Sequence, residues 1–129
     1  MEPWWADLPE APYVAGWQRF LTDTGFAPHL WEQPVYNDTY QYKGRYDVLG
    51  TVSNHEALID IKTTVQMAPS LGYQLAGYDL CLPPNPKRIR WGVQLKKDGG
   101  YQLHEYGNRN DHKIFLAAST VAQTKGLVK

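Results

Sequence analysis

Apolar positions along the chain change their period several times, and each change marks an element. From about Ala11 to Thr24, Tyr13, Val14, Trp17, Phe20 and Leu21 recur at helical spacing, with Gly25 as the stop. Residues 1–12 precede this helix as an irregular arm rich in Pro and Trp. Leu30 to Tyr36 reads as an edge strand, because Pro34 cannot donate to a ladder. After an Asn37-Asp38 turn, Tyr40 to Leu49 alternates: Tyr40, Tyr42, Tyr46 and Val48 are expected on one face, and Gln41, Lys43, Arg45 and Asp47 on the other. Gly50 to Asn54 reads as the next turn, and Ala57 to Lys62 as a central strand. Ala57, Ile59 and Ile61 share one face of that strand, and Leu58, Asp60 and Lys62 the other.

The second half follows the same logic. Ser70 is placed to cap a helix running to about Cys81, with Leu71, Gln74, Leu75 and Tyr78 on one stripe and Pro83-Pro84-Asn85-Pro86 as its end. Ile89, Trp91, Val93 and Leu95 alternate with Arg88, Arg90 and Gln94 in a further strand. Lys97-Asp98-Gly99-Gly100 is a hairpin turn, and Tyr101 to Tyr106 is the returning strand. Asp111 to Thr124 is helical, with Ile114, Phe115, Ala118, Val121 and Ala122 as the expected buried stripe. The predicted order is helix, three strands, helix, two strands, helix: an α/β chain with one core, since 129 residues fit a single domain.

Composition narrows the function classes. Hydrophobic residues make up 43%, enough for a folded core, and no apolar run approaches the ~18–20 residues of a membrane span. The N-terminus is acidic and aromatic and lacks the basic start and apolar stretch of a signal peptide. Cys81 is the sole cysteine, so neither an intrachain disulfide nor a thiolate zinc cluster forms within one chain. These features predict a cytoplasmic protein that does not engage a membrane. Formal net charge is zero, so any nucleic-acid contact needs a local basic patch rather than a global field.

Chemistry concentrates in Asp47 and in Asp60-Ile61-Lys62. Placing charges among isoleucines is costly unless they pair or bind a metal. If the Ala57–Lys62 strand pairs antiparallel with the preceding one, Asp47 and Asp60 become cross-strand neighbours on one polar face. Their carboxylates and the Ile61 backbone carbonyl are hard oxygen ligands suited to Mg²⁺ or Mn²⁺. Lys62 beside them can pair with the carboxylates, orient an attacking water or stabilise developing negative charge. The chemistry this predicts is phosphodiester hydrolysis, against the plainer reading of a buried ion pair that fixes strand register. Lys43 and Arg45, expected on the face of Asp47, are candidate phosphate contacts; Arg88, Arg90, Lys96 and Lys97 around the second hairpin are either further phosphate contacts or simply solvated strand faces. His55, His104 and His112 have no metal-ligand spacing between them.

Gly44-Arg45-Tyr46-Asp47, then Ile59-Asp60-Ile61-Lys62-Thr63-Thr64, then Tyr73-Gln74-Leu75-Ala76-Gly77-Tyr78 resemble the PD-(D/E)xK nuclease superfamily, in particular its RecB-like and lambda-exonuclease-like branch. The resemblance spans roughly residues 30–106. It implies a restriction-endonuclease-like core: a central mixed sheet of about five strands flanked by helices. It implies that Asp47 and Asp60 are metal ligands, that Lys62 is the catalytic lysine, and that Gln74 and Tyr78 line the site. An acidic residue upstream of the aspartate strand often completes such a site, and Glu32 is the candidate here, with a surface edge-strand glutamate as the alternative. The histidine that the branch often carries on its N-terminal helix has no counterpart in the first helix here. The function expected is a Mg²⁺- or Mn²⁺-dependent deoxyribonuclease, an exonuclease of DNA recombination, repair or phage DNA processing, acting as a homo-oligomer or with a recombination or helicase partner. The alternative is a non-catalytic nucleic-acid-binding or enzyme-inhibiting protein on the same fold.

Overall fold

The computed structural model describes residues 3–126; the first two residues of the expected N-terminal arm and the last three of the chain lie outside the described residues. Turns occupy residues 3–10 and lead into α1 (Ala11–Thr24). Gly25 ends α1 in the left-handed region (φ 72°), its N–H donating to the Leu21 carbonyl at 2.9 Å, as the stop signal predicts. Five strands follow: β1 (Ala27–Asn37), β2 (Tyr42–Val52), β3 (His55–Lys62), β4 (Ile89–Leu95) and β5 (Tyr101–Glu105). Between β3 and β4 lies α2 (Leu71–Asp79), and α3 (Asn110–Thr124) comes after β5. The fold is α/β, with one five-stranded mixed sheet in the order β1-β2-β3-β4-β5 and three helices among the described residues. The pair β3–β4 is parallel because α2 carries the chain across the sheet, while the other neighbours are antiparallel.

Each face of the sheet has its own core. Phe20 of α1 and Phe26 bury against Val48, Val52, Ala57, Ile59, Val93 and Leu95, with Trp17 and Trp91 packed around them. On the opposite face, Leu71 and Leu75 of α2 bury against Tyr46, Leu49 and Leu58. The α3 helix packs chiefly on α2. Phe115 lies edge-on to Tyr42 at 4.8 Å between ring centroids. It also fills the space over Gly77, where a Cβ would stand 2.6 Å from its ring.

Several boundaries differ from the sequence expectation. β2 continues through Gly50 to Val52, and the turn is the two-residue Ser53-Asn54, both at positive φ (48° and 66°). Gly50 is a contact glycine instead: the Ala27 carbonyl and the Phe26 ring occupy the space a Cβ would need. Ser70 precedes α2 without a side-chain cap, and α2 ends at Asp79, two residues before Cys81. In α3 the expected stripe is rotated. Ile114 and Val121 are exposed, while Phe115, Leu116, Ser119 and Ala122 are half-buried, because α2 covers only one side of α3.

Candidate functional site

The alternation of β2 breaks at Asp47. Tyr46 and Leu49 both join the core under α2, whereas Val48 joins the core under α1. Strict alternation would have put Tyr46 with Val48. Glu32, which falls between the paired Trp31 and Gln33 on β1 and thus across from Asp47, has φ 49°. The β2–β3 ladder runs from Val52↔His55 to Val48↔Ile59. Just beyond its end, Asp47 Oδ2 accepts a hydrogen bond from the Ile61 N–H at 2.7 Å. A side-chain carboxylate thus takes a strand amide that regular pairing would give to a main-chain carbonyl.

Asp60, one residue before, lies on the α2 face and is only 5% exposed. Its Oδ2 accepts no hydrogen bond, and the nearest cation is Lys62 Nζ at 3.4 Å. Burial pushes the Asp60 carboxyl up to about 6; the adjoining Asp47 carboxylate adds to the rise and Lys62 opposes it. Two carboxyl groups and one ammonium therefore share partly desolvated surroundings, with negative charge in excess when both acids are ionised.

The helix side of this cluster belongs to α2. Gln74 and Tyr78 are one turn apart, and Gln74 Nε2 donates to the Tyr78 hydroxyl at 2.7 Å. Burial raises the Tyr78 hydroxyl, Gln74 opposes the rise, and Asp60 and Asp47 add to it, so the phenol stands within the field of both carboxylates. Gly44 explains how the ring reaches them. A Cβ at Gly44 would stand 2.5 Å from Tyr78 Cε1, so the aromatic ring lies directly on the β2 backbone. Asp47, Asp60, Lys62, Gln74 and Tyr78 are thus brought together at one place, from two strands and one helix.

Tyr106, which the sequence pattern does not single out, belongs to the same neighbourhood. Burial and then the charge of Asp60 raise its hydroxyl. Its ring packs over Gly92, the β4 residue paired with Asp60. Its position just past β5 gives no signal in the sequence; only the β3–β4–β5 register brings it near.

Glu32 lies across from Asp47 on β1 but is exposed, and among the described residues no group of three or more His, Cys, Asp or Glu gathers at any point. The expected cations lie elsewhere. Lys43 and Arg45 are exposed and alternate with Tyr42, Gly44 and Tyr46, which turn toward α2. The break at Asp47 therefore separates these two cations from the face that carries Asp60. Arg88 and Arg90 are not free cations either. Arg88 is buried, pairing with Asp79 Oδ1 at 2.6 Å and Glu56 Oε1 at 2.9 Å. Arg90 is buried 3.5 Å from Asp111 Oδ2, and its Nη2 donates to the Asn108 carbonyl. The ends of α2 and α3 supply the acids that neutralise them. His112 is satisfied by Asp79, and His104 by Gln94.

No family model and no curated protein matches this chain. Among the described residues, no helix is long and apolar enough to cross a membrane. The residues able to hold a hard divalent cation are Asp47 and Asp60, with the Ile61 carbonyl beside them at the end of β3. Fit to such an ion rests on Asp60: its buried Oδ2 accepts no hydrogen bond, and burial disfavours its ionised form. A cation is the group that would satisfy both conditions.

Proposed function

We propose that this chain is a metal-dependent nuclease on a restriction-endonuclease-like core, hydrolysing DNA phosphodiester bonds. The observation that carries the reading is the buried Asp60 carboxyl, adjoined by Asp47 and 3.4 Å from Lys62, with the Gln74–Tyr78 pair in the field of both carboxylates. Asp47 and Asp60 would hold Mg²⁺ or Mn²⁺. Such an ion, when bound, polarises a phosphoryl oxygen and acidifies a coordinated water.

The chain's own groups do the rest. Lys62 is placed to orient the attacking water and to stabilise the charge that develops on the phosphorane-like centre. The Ile61 N–H fixes one oxygen of Asp47, so that carboxylate is held before any ligand arrives. Tyr78, anchored by Gln74 and by its seat on Gly44, bounds the pocket and keeps bulk water from Asp60. In the reaction a water oxygen bonds to phosphorus while the bond to one ester oxygen breaks, and that oxygen leaves protonated as a terminal hydroxyl. Action from DNA ends, in recombination, repair or phage DNA processing, is the finer form of this proposal.

The test is cleavage of end-labelled linear DNA and closed circular DNA in Mg²⁺ or Mn²⁺. Loss of linear substrate with the circle intact supports the exonuclease form, and cutting of the circle replaces it with an endonuclease. Lys62→Ala is expected to abolish cleavage while remaining folded. A wild-type protein that cuts neither substrate refutes the reading.

A second reading, a non-catalytic nucleic-acid-binding or enzyme-inhibiting protein on the same fold, draws on Glu32. That glutamate stands across from Asp47 on β1 but is exposed, and among the described residues no group of three or more acidic, His or Cys side chains gathers. Calorimetric titration separates the two: heat of Mg²⁺ or Mn²⁺ binding that disappears in Asp60→Asn favours the nuclease, and no binding favours the second reading.

A further inference from the structure

The sheet face that carries Asp60 does not end at Lys62. The register lines up Asp60, Gly92 and His104 across β3, β4 and β5, and then Lys62, Gln94 and Gln102 one step further along. Paired residues share a face, so Asp60, Lys62, Gln94 and Gln102 form one polar tract. The tract lies at the carboxyl ends of β3 and β4, the parallel pair, which is where ligands approach open α/β sheets. There a pocket of about 300 Å³ is lined by Thr63, Thr64, Gln94, Lys96, Lys97 and Gln102, with Val65 and Leu95 as its apolar part.

The floor of this pocket is built rather than incidental. Gln94 is 6% exposed, and its Nε2 donates to the Thr64 and Val65 carbonyls at 2.9 and 2.8 Å. Its Oε1 faces His104 Nε2 at 3.0 Å. Every polar atom of that amide is thereby used to pin the segment that follows Lys62 onto β4 and β5. On the rim, Lys96 and Lys97 are exposed and make no ion pair among the described residues. They contrast with Arg88 and Arg90 at the other end of β4, whose charges are spent on acids of α2, β3 and α3.

We propose that this tract is the seat of a nucleic-acid strand, running from Asp60 and Lys62 over the pinned Thr63–Thr64 segment to Lys96 and Lys97, which contact its phosphates. The proposal rests on the nuclease reading for what happens at Asp60, but it concerns where the strand lies. Lysines on a hairpin rim supply the local positive field that a chain of zero net charge needs, and the Thr63 and Thr64 hydroxyls and the exposed Gln102 amide beside the pinned Gln94 suit phosphate and sugar oxygens.

The experiment is fluorescence anisotropy of a labelled single-stranded oligonucleotide with the full chain in EDTA, titrated over a range of salt concentrations. It compares wild type, Lys96→Ala/Lys97→Ala, and the control Arg19→Ala/Lys87→Ala, which removes the same charge from α1 and from the opposite end of β4. Each single-strand phosphate contact contributes about 0.7 to the slope of log K against log salt, so losing two lowers it by about 1.4, roughly a 25-fold weakening at ~0.1 M salt. The expected result is that loss for the Lys96/Lys97 variant, with the control near wild type, a raised KM in the cleavage assay and kcat within about twofold. Equal weakening of both variants, or none in the Lys96/Lys97 variant, overturns the proposal. If wild type still cleaves DNA in that case, the nuclease reading survives it; if wild type neither binds nor cleaves, both fall.

Discussion

Replacing Asp60 with Asn is expected to stabilise the metal-free protein at alkaline pH while abolishing cleavage. The folded protein holds the Asp60 carboxyl at about 6 rather than its ordinary 3.8, chiefly because it is buried and next because Asp47 adjoins it. Folded Asp60 keeps a proton that the unfolded chain has already lost, so stability falls as pH rises from about 4 through about 6 and then levels off. At 1.36 kcal/mol per pH unit that difference corresponds to about 3 kcal/mol, which solvent at the mouth of the pocket reduces to about 2 kcal/mol. Asn removes the charge with little change of shape. For a chain of 129 residues, ~2 kcal/mol raises Tm by about 7 °C. The assay is thermal and urea unfolding in EDTA at pH 8 and pH 4. The Asn variant should exceed wild type at pH 8 and converge with it at pH 4. Saturating Mg²⁺ should stabilise wild type selectively, because the ion binds the folded state through the ionised carboxylate. An Asn variant less stable than wild type at pH 8 would refute the reasoning: Asp60 would then be an anchor whose ion pair with Lys62 outweighs its burial, as in a purely structural salt bridge.

Gly44→Ala should cost about 1–3 kcal/mol, because its Cβ would meet Tyr78 Cε1 at 2.5 Å; cleavage should fall further than that loss of folded protein explains, as the ring withdraws from Asp60. Arg88→Ala leaves Asp79 with His112 as its remaining partner and Glu56 half-exposed, and should destabilise by about 3 kcal/mol, read as a lower urea midpoint; the same substitution at Lys96 should stay within about 0.5 kcal/mol. Gln94→Leu removes two donors from the Thr64 and Val65 carbonyls and one partner from His104. It should cost about 1–3 kcal/mol and open the 63–66 segment to limited proteolysis, whereas cleavage as slow as in wild type would show that the pin is dispensable.

The order of elements and the nature of their faces are local properties, already legible in the sequence. Helical spacing in Ala11–Thr24 and the β period in Ala57–Lys62 are local signals, and α1 and β3 follow them because nothing in the tertiary structure opposes them. The spacing of Gln74 and Tyr78 is also local, since residues one turn apart meet on any helix. Register, crossing and burial of charge are settled only in three dimensions. Alternation assumes an uninterrupted ladder, and β2 departs from it at Asp47, across from Glu32, so Lys43 and Arg45 leave the face on which they are expected. Arg88 and Arg90 read as solvent cations until α2 and α3 bring Asp79 and Asp111 to them, because a buried charge is tolerable only when a distant part of the chain supplies its partner. The apolar stripe of α3 is legible as a stripe, yet which part of it is covered depends on the angle at which α3 meets α2, and no single helix encodes that angle. The same holds at the candidate site. Asp47, Asp60 and Lys62 announce themselves by the cost of charge among isoleucines, while Tyr106 and the Gln94 pin become visible only when parallel pairing sets β4 beside β3.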